Sequence, residues 1–292
     1  KRSLRKVPII LITRANGFIG SNVLEEIQLK NKVYAIQRVK SKKKIKKTKN
    51  IKIIKFNNYD SLSKKLKKIK VDVIIHCATH YKKIHIFKDI YKFVDSNILL
   101  GNVILENIKT LNAKQFINLS TTWEDDNNII NNPKNLYAAY KKSFSCIIQF
   151  YKKKLPNTKF IDLMISDTFG ENDDRKKLIN TIRQDYHNNK ISKIVSKNLY
   201  MNLIHVDDIT NAIKIILRGK IKSGKYVLKN SNFFNIYKLI KYINKDKENI
   251  NKLKVKWLSS KLIKNKISKY KKLKSWNPKK SNIDNIKNLI LN

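Results

Sequence analysis

Residues 7–20 read Val7-Pro8-Ile9-Ile10-Leu11-Ile12-Thr13-Arg14-Ala15-Asn16-Gly17-Phe18-Ile19-Gly20. A nearly continuous apolar run ending in Thr13 suits a parallel strand buried on both faces. The turn behind it carries glycines at 17 and 20. Glycines there let the backbone approach a pyrophosphate, and the following helix offers free N–H groups and a positive dipole end. Taken alone the turn is a weak signal. Arg14 stands where a dinucleotide fingerprint has its first glycine, and a tight turn with close helix packing is the plainer explanation. The decision comes from the repetition of strand and helix downstream.

Strands are expected over 7–13, 32–38, 51–56, 71–77, 115–120 and 160–166, and helices over 22–30, 62–69, 94–109 and 137–154. The helices carry apolar residues at helical spacing, as in Ile98, Leu99, Val103, Ile104 and Ile108. This alternation predicts an α/β fold: a Rossmann-type doubly wound parallel sheet with helices on both faces and right-handed crossovers. After Gly170 the pattern loosens. A helix over 178–188, a short strand over 203–206, a helix capped by Asp207 and running to 218, a strand over 226–228 and a helix over 236–243 are expected. A last helix follows Trp276-Asn277-Pro278. The division is then 1–169 for a dinucleotide-binding domain and 170–292 for a smaller α/β lobe, with parts after 200 returning to the first.

A chain of 292 residues, 41% hydrophobic, can bury a proper core. No apolar run is long enough for a membrane span to be expected. The basic stretch 1–6 precedes an apolar run too short and too strand-like for a signal peptide. Cys77 and Cys146 both sit in apolar runs, which predicts buried free thiols in a reducing cytoplasm. The net charge of +44 invites a nucleic-acid reading. The lysines, however, are spread along the chain beside an excess of Asn and Ile, as a codon bias would leave them. The densest run, 41–52, falls in an expected solvated loop between two strands. No specific nucleic-acid partner is expected, although polyanions such as nucleotides would be favoured.

The chemistry centres on Tyr137-Ala138-Ala139-Tyr140-Lys141. On a helix, i and i+4 share a face, so the Lys141 ammonium can sit beside the Tyr137 hydroxyl and lower its pKa toward working pH. Thr121, at the end of a strand, could give a further hydrogen bond to a carbonyl oxygen. Arg38 ends the second strand, where an NAD enzyme has an acidic residue on the ribose. A cation there suits the 2′-phosphate of NADP, with Lys40 and Arg14 able to join it; NAD stays possible. His76-Cys77-Ala78-Thr79 closes a strand at the ligand-binding edge. His76 has no partner at metal-ligand spacing, so packing is the expected role and no metal site is expected. His80 and His85 look incidental.

Together these residues resemble the extended short-chain dehydrogenase/reductases that act on nucleotide sugars. The resemblance spans nearly the whole chain: the glycine turn, His76-Cys77-Ala78, Asn97 with Gly101, Ser120-Thr121, Tyr137 with Lys141, His205-Val206-Asp207-Asp208 and Trp276-Asn277-Pro278. Within that family the chain looks like the CDP-abequose and CDP-paratose synthases. Asn118 to Trp123, Pro133 with Asn135 to Ala139, and Asp167-Thr168-Phe169-Gly170 with Asn172, Asp173 and Arg175 are similar to their signatures.

The resemblance implies NAD(P)H-dependent reduction of a nucleotide-linked 4-keto-deoxyhexose at C4, as in deoxysugar and polysaccharide biosynthesis. An epimerase or dehydratase of the same fold is the alternative, and a non-catalytic dinucleotide-binding or RNA-binding protein a more distant one. By position, Tyr137 would be the general acid and Lys141 would hold the ribose. Thr121, with Thr122 as fallback, would bond the substrate oxygen, and Asn97 would steady the site. Arg14, Gly17, Phe18, Ile19, Gly20, Arg38 and the 77–79 backbone would hold the cofactor. Asp167, Thr168 and Arg175 would line the substrate side. A cytoplasmic homodimer is implied. The chain departs from the family at Arg14 and Ala15, at Met201 in place of a diphosphate-binding arginine, and at Glu124-Asp125 in place of Tyr-Gly. Thr122-Trp123 stand where dehydratases carry an acid/base pair.

Overall fold

The computed structural model of the protein describes residues 7–246, 252–264, 266 and 268–292. The basic stretch 1–6 lies outside the described residues. Six strands, β1 Ile9–Thr13, β2 Lys32–Arg38, β3 Ile51–Phe56, β4 Val73–His76, β5 Gln115–Thr121 and β6 Lys159–Ile165, are joined by a seventh late in the chain, Gly224–Leu228. All pair in parallel, in the spatial order Gly224–Leu228, β6, β5, β4, β1, β2, β3. The order reverses between β1 and β4. At such a switch point the strand ends leave a crevice for a ligand.

Helices α1 Phe18–Ile27, α2 Tyr59–Leu66, α3 Asp89–Val94, α4 Leu100–Glu106, α5 Ile108–Leu111 and α6 Leu136–Lys154 cover the sheet. One apolar cluster packs α1 and the helix Val206–Leu217 on one face, around Ile10, Ile12 and Ile213. A second packs α2, α4 and α6 on the other, around Leu11, Ile104 and Phe144. A third cluster gathers Ile179, Ile182, Leu239, Ile286 and Ile290 from the helices Leu178–His187, Ile236–Asn244 and Ile283–Leu291.

Several local expectations change. Helix α1 starts at Phe18, not at residue 22, with Gly17 as its N-cap and no side chain capping it. The single helix expected over 94–109 is instead α3, a π-helical turn Asp95–Leu99, α4 and α5. The expected cap Asp207 lies inside its helix; the ring of His205 accepts the Asp207 N–H and caps it. Cys77 is buried, but Cys146 lies on the exposed side of α6, so the apolar run misled there. The lysine-rich loop is not only solvated: Ile45 is buried within it, and Lys40, Ser41, Lys42 and Lys43 border a cavity.

Candidate active site

Thr13, the last residue of β1, ties the switch point together. Its Oγ1 accepts the N–H groups of Cys77 and Ala78, each at 3.1 Å. Its own proton is thereby left for Nδ1 of His76, 3.2 Å away. That fixes the His76 tautomer with hydrogen on Nε2. The ring is fully buried against Phe116 and Phe144. Burial, aided by the nearby Lys141 charge, lowers its pKa to about 3. His76 packs as expected and offers no proton at neutral pH.

Two cavities, of about 340 and 750 Å³, follow the carboxyl edge of the sheet and share Arg14, Asn16, Gly17 and Lys43 in their walls. The smaller is lined by Ile36, Phe56, Ala78 and Leu100 together with Arg14, Arg38, Lys40, Lys42 and Lys43. An apolar slot rimmed by cations suits the adenosine end of a dinucleotide. The turn suits its pyrophosphate: a Cβ on Gly20 would stand 2.2 Å from the Arg14 carbonyl oxygen. Only glycine permits that approach of helix to turn. Arg14 adopts φ +50 and lays its side chain over Gly17. Arg38 is already engaged. It donates to Asp95 Oδ2 and to the Tyr59 hydroxyl, both at 2.7 Å, and stacks on Phe56. The π turn brings Asp95 to this position. It also brings Asn97, which accepts from the His80 N–H at 2.7 Å and donates to the His80 carbonyl at 3.1 Å. Asn97 therefore fixes the loop after β4 and does not line the cleft.

The larger cavity is lined by Phe18, Ile19, Cys77, Thr79, Ser120, Thr121, Trp123 and Tyr137, and on the far side by Asp167, Thr168, Arg175 and Lys177. Thr122 is not among its lining residues. Helix α6 is capped by the Asn135 side chain, which accepts the Ala138 N–H at 3.0 Å. This sets Tyr137 in the first turn, edge-on to Tyr81 with centroids 5.1 Å apart. Lys141, one turn on, is buried at 2% exposure. The expected lowering of the Tyr137 pKa is not seen. Burial raises it above the ordinary value, and the Thr79 hydroxyl beside it opposes only in part. Lys141 is itself pushed down by burial, its charge supported by Glu124 and Asp162.

The expected substrate-side residues all have protein partners. Arg175 grips Asp173 through Nε and Nη2, each at 2.7 Å, donates to Thr168 Oγ1 at 2.8 Å and lies over the Phe18 ring. It thus faces the glycine turn as much as the substrate side. Asp167 pairs with Lys177 at 3.2 Å, whose ammonium also lies over Tyr81 and Trp123. Asp174 pairs with Lys43 across the cleft at 2.7 Å.

The profile of the NAD dependent epimerase/dehydratase family matches residues 10–228. The chain belongs to that family. It is 26% identical over 249 residues to CDP-abequose synthase of Yersinia pseudotuberculosis, covering 82% of this chain and 85% of that one. It is 31% identical to dTDP-D-glucose 4,6-dehydratase of Dictyostelium discoideum, covering 72% of this chain and 55% of that one. The fold is that of UDP-glucose 4-epimerase from Thermus thermophilus, solved in complex with NAD: TM-score 0.78, 15% identity and 97% of each chain. Fold and relatives make this chain an enzyme of the short-chain dehydrogenase/reductase type. Among the described residues, no helix is long and apolar enough to cross a membrane.

Two things escaped the sequence reading. One is the set of ion pairs that occupies Asp167, Asp174 and Arg175. The other is a polar row through the sheet. Thr13, His76, Asn118, Asp162 and Lys225 stand in register on five adjacent parallel strands. Asn118 donates to Asp162 at 2.7 Å, and Lys225 donates to the buried Glu124 at 2.7 Å. The sequence signal was slight: a polar residue closing the apolar runs of β1 and β4, and Asp162 inside that of β6.

Proposed function

We propose that the enzyme reduces a nucleotide-linked 4-keto-deoxyhexose at C4, using NADP(H) with NAD(H) as the competing cofactor. The supporting observation is the makeup of the larger cavity. It joins Thr121 and Tyr137 and has no unpaired carboxylate among its described lining residues: Asp167 and Asp174 are both ion-paired. Dehydration at C5 and C6, or inversion at C3 or C5, needs a base at those carbons. A reductase needs only an acid at the C4 oxygen. Glu124, the acid nearest Thr121 in sequence, is buried in a pair with Lys225 and is absent from the cavity wall.

A bound reduced nicotinamide supplies the hydride. Tyr137 donates its phenolic proton to the developing C4 alkoxide, and the Thr121 hydroxyl donates a second hydrogen bond to the same oxygen. A phenol kept neutral by burial is in the protonation state that this step requires. Lys141, which lines neither cavity in this structure, would hold the ribose hydroxyls of a bound cofactor and offset the phenolate left behind, which solvent would reprotonate. Gly17, Phe18, Ile19, Gly20 and Arg14 would receive the pyrophosphate, Arg38 and Ala78 the adenosine, and Cys77 and Thr79 the nicotinamide of a bound cofactor. The lobe after Gly170, less the helix and strand that return to the large sheet, would supply the substrate-binding side, of which Asp174, Arg175 and Lys177 already line the larger cavity. The two free thiols fit a reducing cytoplasm. Exposed Tyr91 and Leu99, on α3 and the π turn, suit the interface of a homodimer.

The 31% identity to a 4,6-dehydratase favours the second reading, dehydration or epimerisation with cofactor recycling. Tyr137→Phe and Thr121→Val test the assignment. The first should lower turnover of a CDP- or dTDP-linked 4-keto-6-deoxyhexose by about 10²–10⁴-fold, as expected for loss of a positioned acid, and the second by less. Dinucleotide affinity should stay within about twofold. Full activity in the Phe variant would refute the role of Tyr137.

A further inference from the structure

Next to the site lies a buried cluster centred on Glu124, which lines neither cavity and to which the reduction gives no direct part. Glu124 is fully buried. It accepts from the Ser120 hydroxyl on β5, from Ser145 on α6 at 3.1 Å and from Lys225 on the last sheet strand at 2.7 Å. Ser145 also reaches Asp162 on β6 at 2.9 Å, and Lys225 lies 3.7 Å from the same carboxylate. Lys141, buried one turn before Ser145 on α6, has its charge supported by Glu124 and Asp162, so these two carboxylates face two ammonium groups, Lys141 and Lys225. Burial of unbalanced charge is costly, so each member depends on the others.

We propose that Glu124 is a positioning residue for the Tyr137–Lys141 pair: with Asp162 it is the buried counter-charge that keeps Lys141 an ammonium, and through Ser120 and Ser145 it ties the strand end carrying Thr121 to α6. The proposal rests on the assignment of Tyr137 and Lys141 given above. The groups facing Glu124 are Ser120, Tyr137, Lys141, Ser145, Asp162, Lys225 and the nearby Tyr270. Lys141 also faces Cys77 and His76. Burial and Asp162 raise the pKa of Glu124, while Lys225 opposes them. Losing the Glu124 charge leaves two cations facing one carboxylate, and Lys141, already lowered by burial, gives up its proton more readily.

The test is the titration of Lys141, read by nitrogen-15 NMR of the lysine Nζ. A buried ammonium exchanges slowly enough to separate from surface lysines, and Lys141→Arg assigns it. Glu124→Gln keeps the shape but removes the charge. It should lower the proton affinity of Lys141 by about tenfold or more, as when a neighbouring opposite charge is lost. Glu124→Asp should restore most of it. Lys225→Met removes the competing cation and should move Lys141 in the opposite direction. General loosening of the fold would move both variants the same way. The proposal is overturned if Glu124→Gln leaves the Lys141 titration unchanged, or if Glu124→Gln and Lys225→Met shift it in the same direction. Calorimetry with NADPH and NADH separates the two readings. Opposite shifts at Lys141 in a protein that binds neither dinucleotide would uphold the counter-charge and remove the reductase.

Discussion

The guanidinium of Arg38 donates to Asp95 Oδ2 at 2.7 Å, and Tyr59 bonds to both. Arg38 thus ends β2 with its charge partly answered by the π turn. An arginine held by one carboxylate keeps other N–H groups for a phosphate, and Arg14, Lys40, Lys42 and Lys43 border the same cavity.

Cofactor choice follows from this arrangement. NADPH should bind more tightly than NADH in calorimetry. Arg38→Asp should cut that preference by about 10–100-fold, the worth of one hydrogen bond to a charged group. Asp95→Asn should increase it, because Arg38 loses its competitor. A wild-type preference for NADH would make Arg38 a structural partner of Asp95 alone.

His76 makes a prediction about acid. Its folded pKa of about 3 lies well below the unfolded value of about 6.5. Between those values the unfolded chain binds more protons, so stability is lost as pH falls through this window. The loss assigned to this ring is about 3 kcal/mol between pH 7 and pH 4. Urea unfolding at the two pH values measures it. His76→Gln, which keeps a partner for Thr13, should shrink the difference by about that amount. An equal loss in wild type and variant would place the acid sensitivity elsewhere.

Asp208 holds the tail. Its carboxylate accepts the N–H groups of Lys279 and Lys280 at 2.7 and 2.9 Å and the Ser281 hydroxyl at 2.6 Å, and its carbonyl accepts Trp276 Nε1 at 2.8 Å. Asp208→Ala leaves three donors without an acceptor and should cost about 3–5 kcal/mol in urea unfolding. A cost below about 1 kcal/mol would mean that solvent reaches these groups.

The sequence carried the central sheet well, because β1 and β4 are apolar runs whose identity depends on local composition. The Tyr137–Lys141 spacing was legible for the same reason: a four-residue step on a helix is local. The π turn was not, since 94–109 has unbroken helical spacing and the extra residue serves Asp95 and Asn97, whose partners lie far away in the chain. His205 as a cap was hidden behind Asp207, the commoner capping residue. Lys225 and Glu124 are 101 positions apart. Only strand order brings them together, and strand order is not written in any one strand. Tyr137 is kept neutral chiefly by burial, and the Glu124 charge, distant in sequence from its partner Lys225, adds to it.

Net reduction at C4 distinguishes the proposed reaction from epimerisation and dehydration. The direct measurement is an incubation in deuterated water with NADPH and a CDP- or dTDP-linked 4-keto-6-deoxyhexose, following nucleotide absorbance and the label by mass spectrometry and NMR. One NADPH should be consumed per alcohol formed, with no enzyme-dependent deuterium at C3 or C5. Conversion without NADPH loss, or catalytic deuterium uptake at C3 or C5, would contradict it and assign the chain to cofactor-recycling epimerisation or dehydration.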